Sequence, residues 1–186
     1  GVGLPGPHGA DRLGGGMVSN GQVFGARAGR FAAERAQSCD RPEPSPQCLQ
    51  PCLDRLARNG GRGRDPDDAL SALQSATGKF LMVSRSAAGL ESLIARIREL
   101  AEEWLPQVAS PTPAVLRRAI ELENSLLTAE LMARAALLRT ESRGSHFRED
   151  FALQDDENWR TNIIFRRSAA GAVRHERRSI ETEARG

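Results

Sequence analysis

Two stretches of this chain concentrate side chains that could do chemistry. Residues 6–29 read GPHGADRLGGGMVSNGQVFGARAG, a glycine-rich turn carrying His8 and Arg12 that leads into a helical pattern. Such a turn presents unpaired backbone N–H groups and the positive end of a helix dipole, which together suit negative charge. Residues 140–159 read TESRGSHFREDFALQDDENW. There Arg143, His146 and Arg148, with Arg139 just before them, are interleaved with six carboxylates. Charges of both signs at that density form an ion-pair and hydrogen-bond network when they are withdrawn from water together. The three adjacent acids Asp155, Asp156 and Glu157 read as solvated or helix-capping rather than metal-binding. Cys39, Cys48 and Cys52 are odd in number, and their spacing fits no common zinc pattern, so they read as free thiols.

The elements that position these stretches can be read from caps and periodicity. A helix is expected from about Met17 to Ala36, with Val18, Val23, Phe24, Ala26, Phe31 and Ala33 on its apolar side. From Gln37 to Arg64, prolines 42, 44, 46 and 51 and the run NGGRGR break regular structure. Asp65-Pro66-Asp67-Asp68 then opens a helix to about Met82, with a capping carboxylate, a proline suited to the first helical position and acids at the positive dipole end. A second helix starts near Ala87, and Leu90, Leu93, Ile94, Ile97, Leu100, Ala101 and Trp104 fall on one face of it. Thr112-Pro113 repeats the cap-and-proline start for a third, to about Leu138. Its apolar positions are Leu116, Ala119, Ile120, Leu126, Leu127, Leu131, Ala135 and Leu138. Three such helices with short connections predict an antiparallel bundle around a shared core. Strand-like runs at Thr161–Arg166 and Ala172–Ile180 around SAAG predict a hairpin, which alone is marginal in water and must lean on something.

With 186 residues and a formal net charge of +2, the chain has no broad basic footprint for nucleic acid. The arginines of 160–178 lack aromatic partners for bases. No run of about 18 apolar residues spans a membrane, and no secretory signal opens the chain. The start GVGLPGPHG, without an initiator Met, is read as a piece of a longer protein.

Both chemical stretches resemble one family. Residues 6–29 are similar to HGANRLGxNSLxxxxVFGxxAG, and 140–159 to RxESRGxHxRxD followed by DDxNW, in the same order. These are marks of the flavoprotein subunits of succinate dehydrogenase and fumarate reductase. ELENSLLTAELMARAALLRTESRG, residues 121–144, reads like the long helix of the family's C-terminal domain. The resemblance covers about 130 of the 186 residues. It implies a mainly α fold, in which a glycine-rich loop and helix from an FAD domain (1–36) lead through a variable linker (37–64). A helical C-terminal domain (65–159) and a tail with a small β-hairpin (160–186) follow. It further implies FAD as cofactor, hydride transfer to or from a C4 dicarboxylate, and electron exchange with an iron–sulfur subunit. The implied location is cytoplasmic, with peripheral attachment at the inner membrane through partner subunits. Met17 and Val18 stand where the family's backbone meets the flavin, and Arg12 where its arginine binds a substrate carboxylate. A guanidinium suits that role because its planar fork meets a carboxylate with two parallel bonds. His8 is either a second substrate ligand or an orienter of the loop.

Asp11 replaces the family's Asn, and Gly16 and Met17 replace its Asn and Ser, which bears on the substrate more than on the flavin. Arg143, His146 and Arg148 are expected to form a network docking the long helix to the flavin domain, with no catalytic residue among them. No GxGxxG follows a strand here, and the family's flavin-attaching histidine, proton-donor arginine and capping domain lie upstream of the matched segments. The chain alone is therefore expected neither to catalyse nor to hold FAD stably. L-aspartate oxidase is similar in the same two places, although its second motif usually departs after the histidine, where this chain keeps Arg148-x-Asp150. A helical interaction module without redox chemistry is the remaining alternative, and it requires residues 140–159 to be unburied.

Overall fold

The computed structural model describes residues 16–39, 45, 47, 50, 54, 63–108, 112–168 and 171–180, with side chains from residue 21 onward. His8, Arg12, Cys48, Cys52 and most of the 37–64 linker lie outside the described residues, as do the side chains of Met17 and Val18. Helix α1 spans Gly16–Ser38, slightly longer than the periodicity predicts. Its side chains are exposed from residue 21 on, including Val23, Phe24 and Phe31.

The three helices of the middle segment start where their caps place them. Helix α2 (Pro66–Phe80) is capped by Asp65, whose carboxylate accepts the Asp67 N–H at 3.0 Å. Ser86 caps α3 (Ala87–Trp104) by accepting the Gly89 N–H, and Thr112 caps α4 (Pro113–Leu138) by accepting that of Val115. Each cap satisfies one of the N–H groups that a helix start leaves unpaired. A 3-10 turn, Leu105–Gln107, closes α3, and the Arg64 guanidinium stacks 3.6 Å above the Trp104 ring there.

All three pairs among α2, α3 and α4 pack together. On α3 the buried residues are Leu90, Leu93, Ile94, Ile97, Leu100 and Trp104, as the periodicity requires, with Ala101 half-buried. On α4 the apolar positions do not all face the core. Its buried line is Leu122, Leu126, Ala129, Ala133 and Ala136; of the eight apolar positions named above Leu126 is buried, and Ala119 packs half-buried against the core. Ile120 is 38% exposed. Leucine and alanine surround much of this helix, so periodicity alone has no single face to select.

The polar run after α4 contains structure that a loop reading missed. Strand β1 (Ser84–Arg85) pairs in parallel with β2 (Phe147–Arg148), joining the α2–α3 connection to the motif. A 3-10 turn, Glu149–Phe151, and the short helix α5 (Asp156–Trp159) follow. Strands β3 (Thr161–Arg167) and β4 (Val173–Ser179) form the expected antiparallel hairpin, with Thr161 opposite Ser179 and Arg167 opposite Val173. The turn uses Gly171 at φ +83°, a backbone state that glycine enters without steric cost. The hairpin leans on the end of the helical bundle. Arg177 lies 4.0 Å above the ring of buried Trp159 and donates to the Asn158 carbonyl, and Arg139 donates to the Thr161 carbonyl.

Candidate functional site

Two charged side chains, Glu141 and Arg148, are at most 1% exposed and organise the motif. Burying an ion is costly unless partners replace its water. The Glu141 carboxylate obtains four such partners. One oxygen accepts from Arg139 Nη1 and Arg143 Nε at 2.5 Å each, and the other from Arg143 Nη2 at 2.9 Å and the Asp155 N–H at 2.7 Å. Burial pushes the Glu141 pKa up, and the bonds from Arg143, Asp155 and Arg139 outweigh it, so the net direction is downward. Arg143 also binds Asp156 Oδ1 at 2.7 Å. Arg143 and His146 exchange both backbone hydrogen bonds around Gly144 at φ +55°, which is why the motif needs glycine there.

Arg148 links two helix ends. Its Nη1 donates to the carbonyls of Ala136, Leu137 and Arg139 at 2.7, 3.1 and 3.2 Å, groups that the end of α4 leaves unpaired. Its Nε and Nη2 grip the two oxygens of Asp150 at 2.7 Å each, and Asp150 Oδ2 accepts the first N–H of α3, from Ala87, at 2.9 Å. A cation thus sits at the negative end of α4 and an anion at the positive end of α3, each favoured by the dipole it meets. The Arg148 bond is the first cause holding the Asp150 carboxyl far below the usual range. Substituting Arg148→Lys is expected to lower stability by about 2 kcal/mol, because an ammonium cannot reproduce the fork and leaves acceptors unpaired. Urea unfolding would show it as a lower midpoint at unchanged slope.

His146 is half-buried and neutral. Its Nδ1 lies 3.4 Å from Arg85 Nη1, and its Nε2 lies 3.4 Å from the Arg139 carbonyl. The tautomer with the proton on Nε2 satisfies both contacts. Burial, then the positive charge of Arg85, lowers its pKa from 6.5 to about 4. The unfolded chain therefore takes up the proton first as pH falls. The stability from neutral His146 is complete above about pH 6.5 and is lost as pH drops towards 4. After discounting for partial exposure, roughly 1–2 kcal/mol is expected to disappear over that window. Thermal melts from pH 7 to 4 would read it, and His146→Gln should flatten the profile.

The structure therefore joins Arg143, His146 and Arg148, pairs Arg148 with Asp150 and ties Asp150 to α3, and adds two residues for which the sequence reading gave no role: Arg85, and Trp159, whose Nε1 donates to Thr140 Oγ1. For Arg85 no sequence signal exists, because it reaches the motif across 61 residues. Asp155 caps α5 by accepting the Asn158 N–H, and Asp156 pairs with Arg143. Among the described residues no group of three or more His, Cys, Asp or Glu could hold a metal ion. Cys39 is an exposed free thiol.

This arrangement, built on the ESRGxHxRxD order, is matched by the family model described as fumarate reductase flavoprotein C-term over residues 71–185. The chain belongs to this family. Among curated relatives of this flavoprotein C-terminal segment, it is 37% identical over 172 residues to a fumarate reductase (CoM/CoB) subunit of Methanothermobacter marburgensis, covering 87% of this chain and 30% of that protein. It is 34% identical to L-aspartate oxidase of Caulobacter vibrioides, covering 85% of this chain and 25% of that protein. Its fold is similar to that of Mycobacterium smegmatis Sdh1 solved with UQ1, with a TM-score of 0.77 at 29% identity, covering 92% of this chain and 30% of that one. The flavoprotein segment thus spans about 30% of the length of the reductase relative. The matched region holds the whole buried network and leaves residues 1–70, with His8, Arg12, Met17 and Val18, outside it.

Proposed function

We propose that this chain is the C-terminal portion of an FAD-dependent flavoprotein subunit of the succinate dehydrogenase/fumarate reductase class, and that the assembled enzyme exchanges a hydride with a C4 dicarboxylate. The family match over residues 71–185 carries this reading. It is supported by the burial of Glu141, Arg148 and Trp159, since a helical module with a merely solvated 140–159 would expose them. In this reading residues 1–36 complete an FAD domain, 37–64 link it to the helical domain of 65–159, and the hairpin tail follows. The first turn of α1 carries no acidic side chain, and a helix start of that kind would suit the negative charge of a reduced flavin. The backbone at Met17 and Val18 would hold it. Bound FAD would supply the redox chemistry itself. Arg12, with His8 beside it, would bind and orient a substrate carboxylate. Arg143, His146 and Arg148 would keep the motif rigid where the helical domain docks on the flavin domain.

Partners follow the same reading. The relative from Methanothermobacter marburgensis is named for its place in a multi-subunit enzyme, and an iron–sulfur subunit is the expected electron partner here. Among the described residues no helix is long and apolar enough to cross a membrane; in the reading proposed here, attachment to the inner membrane would be through partner subunits.

L-aspartate oxidase is the second reading, favoured by the Caulobacter relative. The bidentate Arg148–Asp150 pair supports the first. The test is a full-length flavoprotein containing this chain, assayed for succinate oxidation and dye-linked fumarate reduction against aspartate oxidation by oxygen. The expected result is at least roughly 100-fold preference for the dicarboxylate pair, about 2.7 kcal/mol of discrimination. Preferential turnover of aspartate would replace the first reading with the second.

A further inference from the structure

We propose that the cleft between β1, the last turns of α4 and strand β3 binds a carboxylate through Arg85. This inference does not depend on the enzyme class proposed above. The cleft has a volume of about 310 Å³, and its lining includes Leu81, Arg85, Met132, Arg139, His146 and Ile163. That is at the lower end of the range for small-molecule sites. Leu81, Met132, Ala135, Ala136 and Ile163 form its apolar part, beside Arg85, Arg139, Ser145 and His146, and no carboxylate lines it.

Charge accounting singles out Arg85. Arg139 and Arg143 share Glu141, and Arg148 holds Asp150. Arg85 has no carboxylate partner among the described residues. Its Nε donates to the Leu81 carbonyl at 3.1 Å and its Nη1 to the Ser145 carbonyl at 3.2 Å, with His146 Nδ1 at 3.4 Å. These neutral acceptors fix the plane of the guanidinium and leave Nη2 without a partner among the described residues. The group is also half-buried, and burial lowers its pKa. A cation partly withdrawn from water without a counter-ion is costly, and an anion entering the cleft would offset that cost.

The class of ligand follows from the same inventory. One uncompensated positive charge matches one negative charge, and the apolar part of the lining, Leu81, Met132 and Ile163, matches a short apolar stem. A phosphate would bring up to two charges and three oxygens, more than this donor set can satisfy. A carboxylate on a short hydrocarbon chain fits. Its source is either an acidic side chain from elsewhere in a longer protein or a free small carboxylate.

Butyrate is the probe, titrated into the 186-residue chain while the His146 ring protons are followed by NMR. We expect a saturable shift with millimolar affinity and a His146 pKa raised by about one unit, because a bound carboxylate offsets the Arg85 charge. n-Butanol, of similar shape but neutral, should give no saturable shift. Arg85→Gln should weaken butyrate binding at least tenfold, and Arg85→Lys should retain part of it, which separates loss of charge from loss of fold. No saturable shift in the parent chain, or equal affinity in Arg85→Gln, would overturn the proposal. The same titration in a longer flavoprotein containing this chain identifies the source. A His146 pKa already raised and insensitive to butyrate supports an internal acidic side chain. A saturable butyrate shift there supports a free carboxylate, and a low pKa insensitive to butyrate counts against both.

Discussion

Glu141→Ala is expected to lower the unfolding free energy by about 3–5 kcal/mol, the largest stability effect of any single change in the motif. Truncation leaves the Arg143 guanidinium, still largely buried, without the two oxygens it grips, and removes one acceptor from Arg139 and the side-chain acceptor of the Asp155 N–H. The loss does not stay local. Arg139 also carries the Trp159 and Thr161 carbonyls, so releasing it loosens the hairpin from the bundle. Glu141→Gln should cost nearly as much, because its amide directs N–H groups at donors and removes the charge. Urea unfolding of the chain and its two variants would measure this. A change under about 1 kcal/mol would mean that solvent reaches the carboxylate in solution, since exposed ion pairs are worth only that much. Substituting both Glu141 and Arg143 by apolar residues should cost less than Glu141→Ala alone, because one largely buried cation, Arg139, then loses its carboxylate instead of two.

Arg12→Ala, introduced into a full-length flavoprotein containing this chain, is expected to lower turnover by roughly 10³-fold while FAD remains bound. That corresponds to about 4 kcal/mol of transition-state stabilisation. In the proposed function the Arg12 guanidinium would hold a substrate carboxylate in two parallel bonds and counter negative charge as it redistributes. Arg12→Lys should recover only a small part, since an ammonium keeps the charge and loses the fork. The flavin absorbance spectrum and the steady-state rate are to be read on the same sample. Unchanged turnover would remove Arg12 from the site, and loss of flavin would assign it to cofactor retention instead.

The boundaries of the helices were legible in the sequence because they depend on neighbours. Asp65, Ser86 and Thr112 each cap the helix that follows them, and the apolar face of α3 repeats at its own period. The hairpin was legible for the same reason, from two short runs around SAAG. The orientation of α4 was not. Leucine and alanine lie on several of its sides, and only packing against α2 and α3 shows that Ala129 and Ala133 are buried while Leu127 and Leu131 are half-buried.

The motif divides along the same line. Its residue order, Glu-Ser-Arg-Gly-x-His-x-Arg-x-Asp, was sufficient to assign the family, and its density of opposite charges to expect a network. What each side chain does was decided by tertiary structure. Arg148 became a bridge between two helix ends because the fold brings Ala87 and Ala136 to either side of it. His146 was made neutral by burial and by Arg85, which is distant in sequence and delivered by a two-residue parallel strand pair. Local sequence determines which backbone groups need partners, because capping and periodicity act within a few residues. Charge and protonation depend on burial and on groups from remote elements, and only the folded chain sets those.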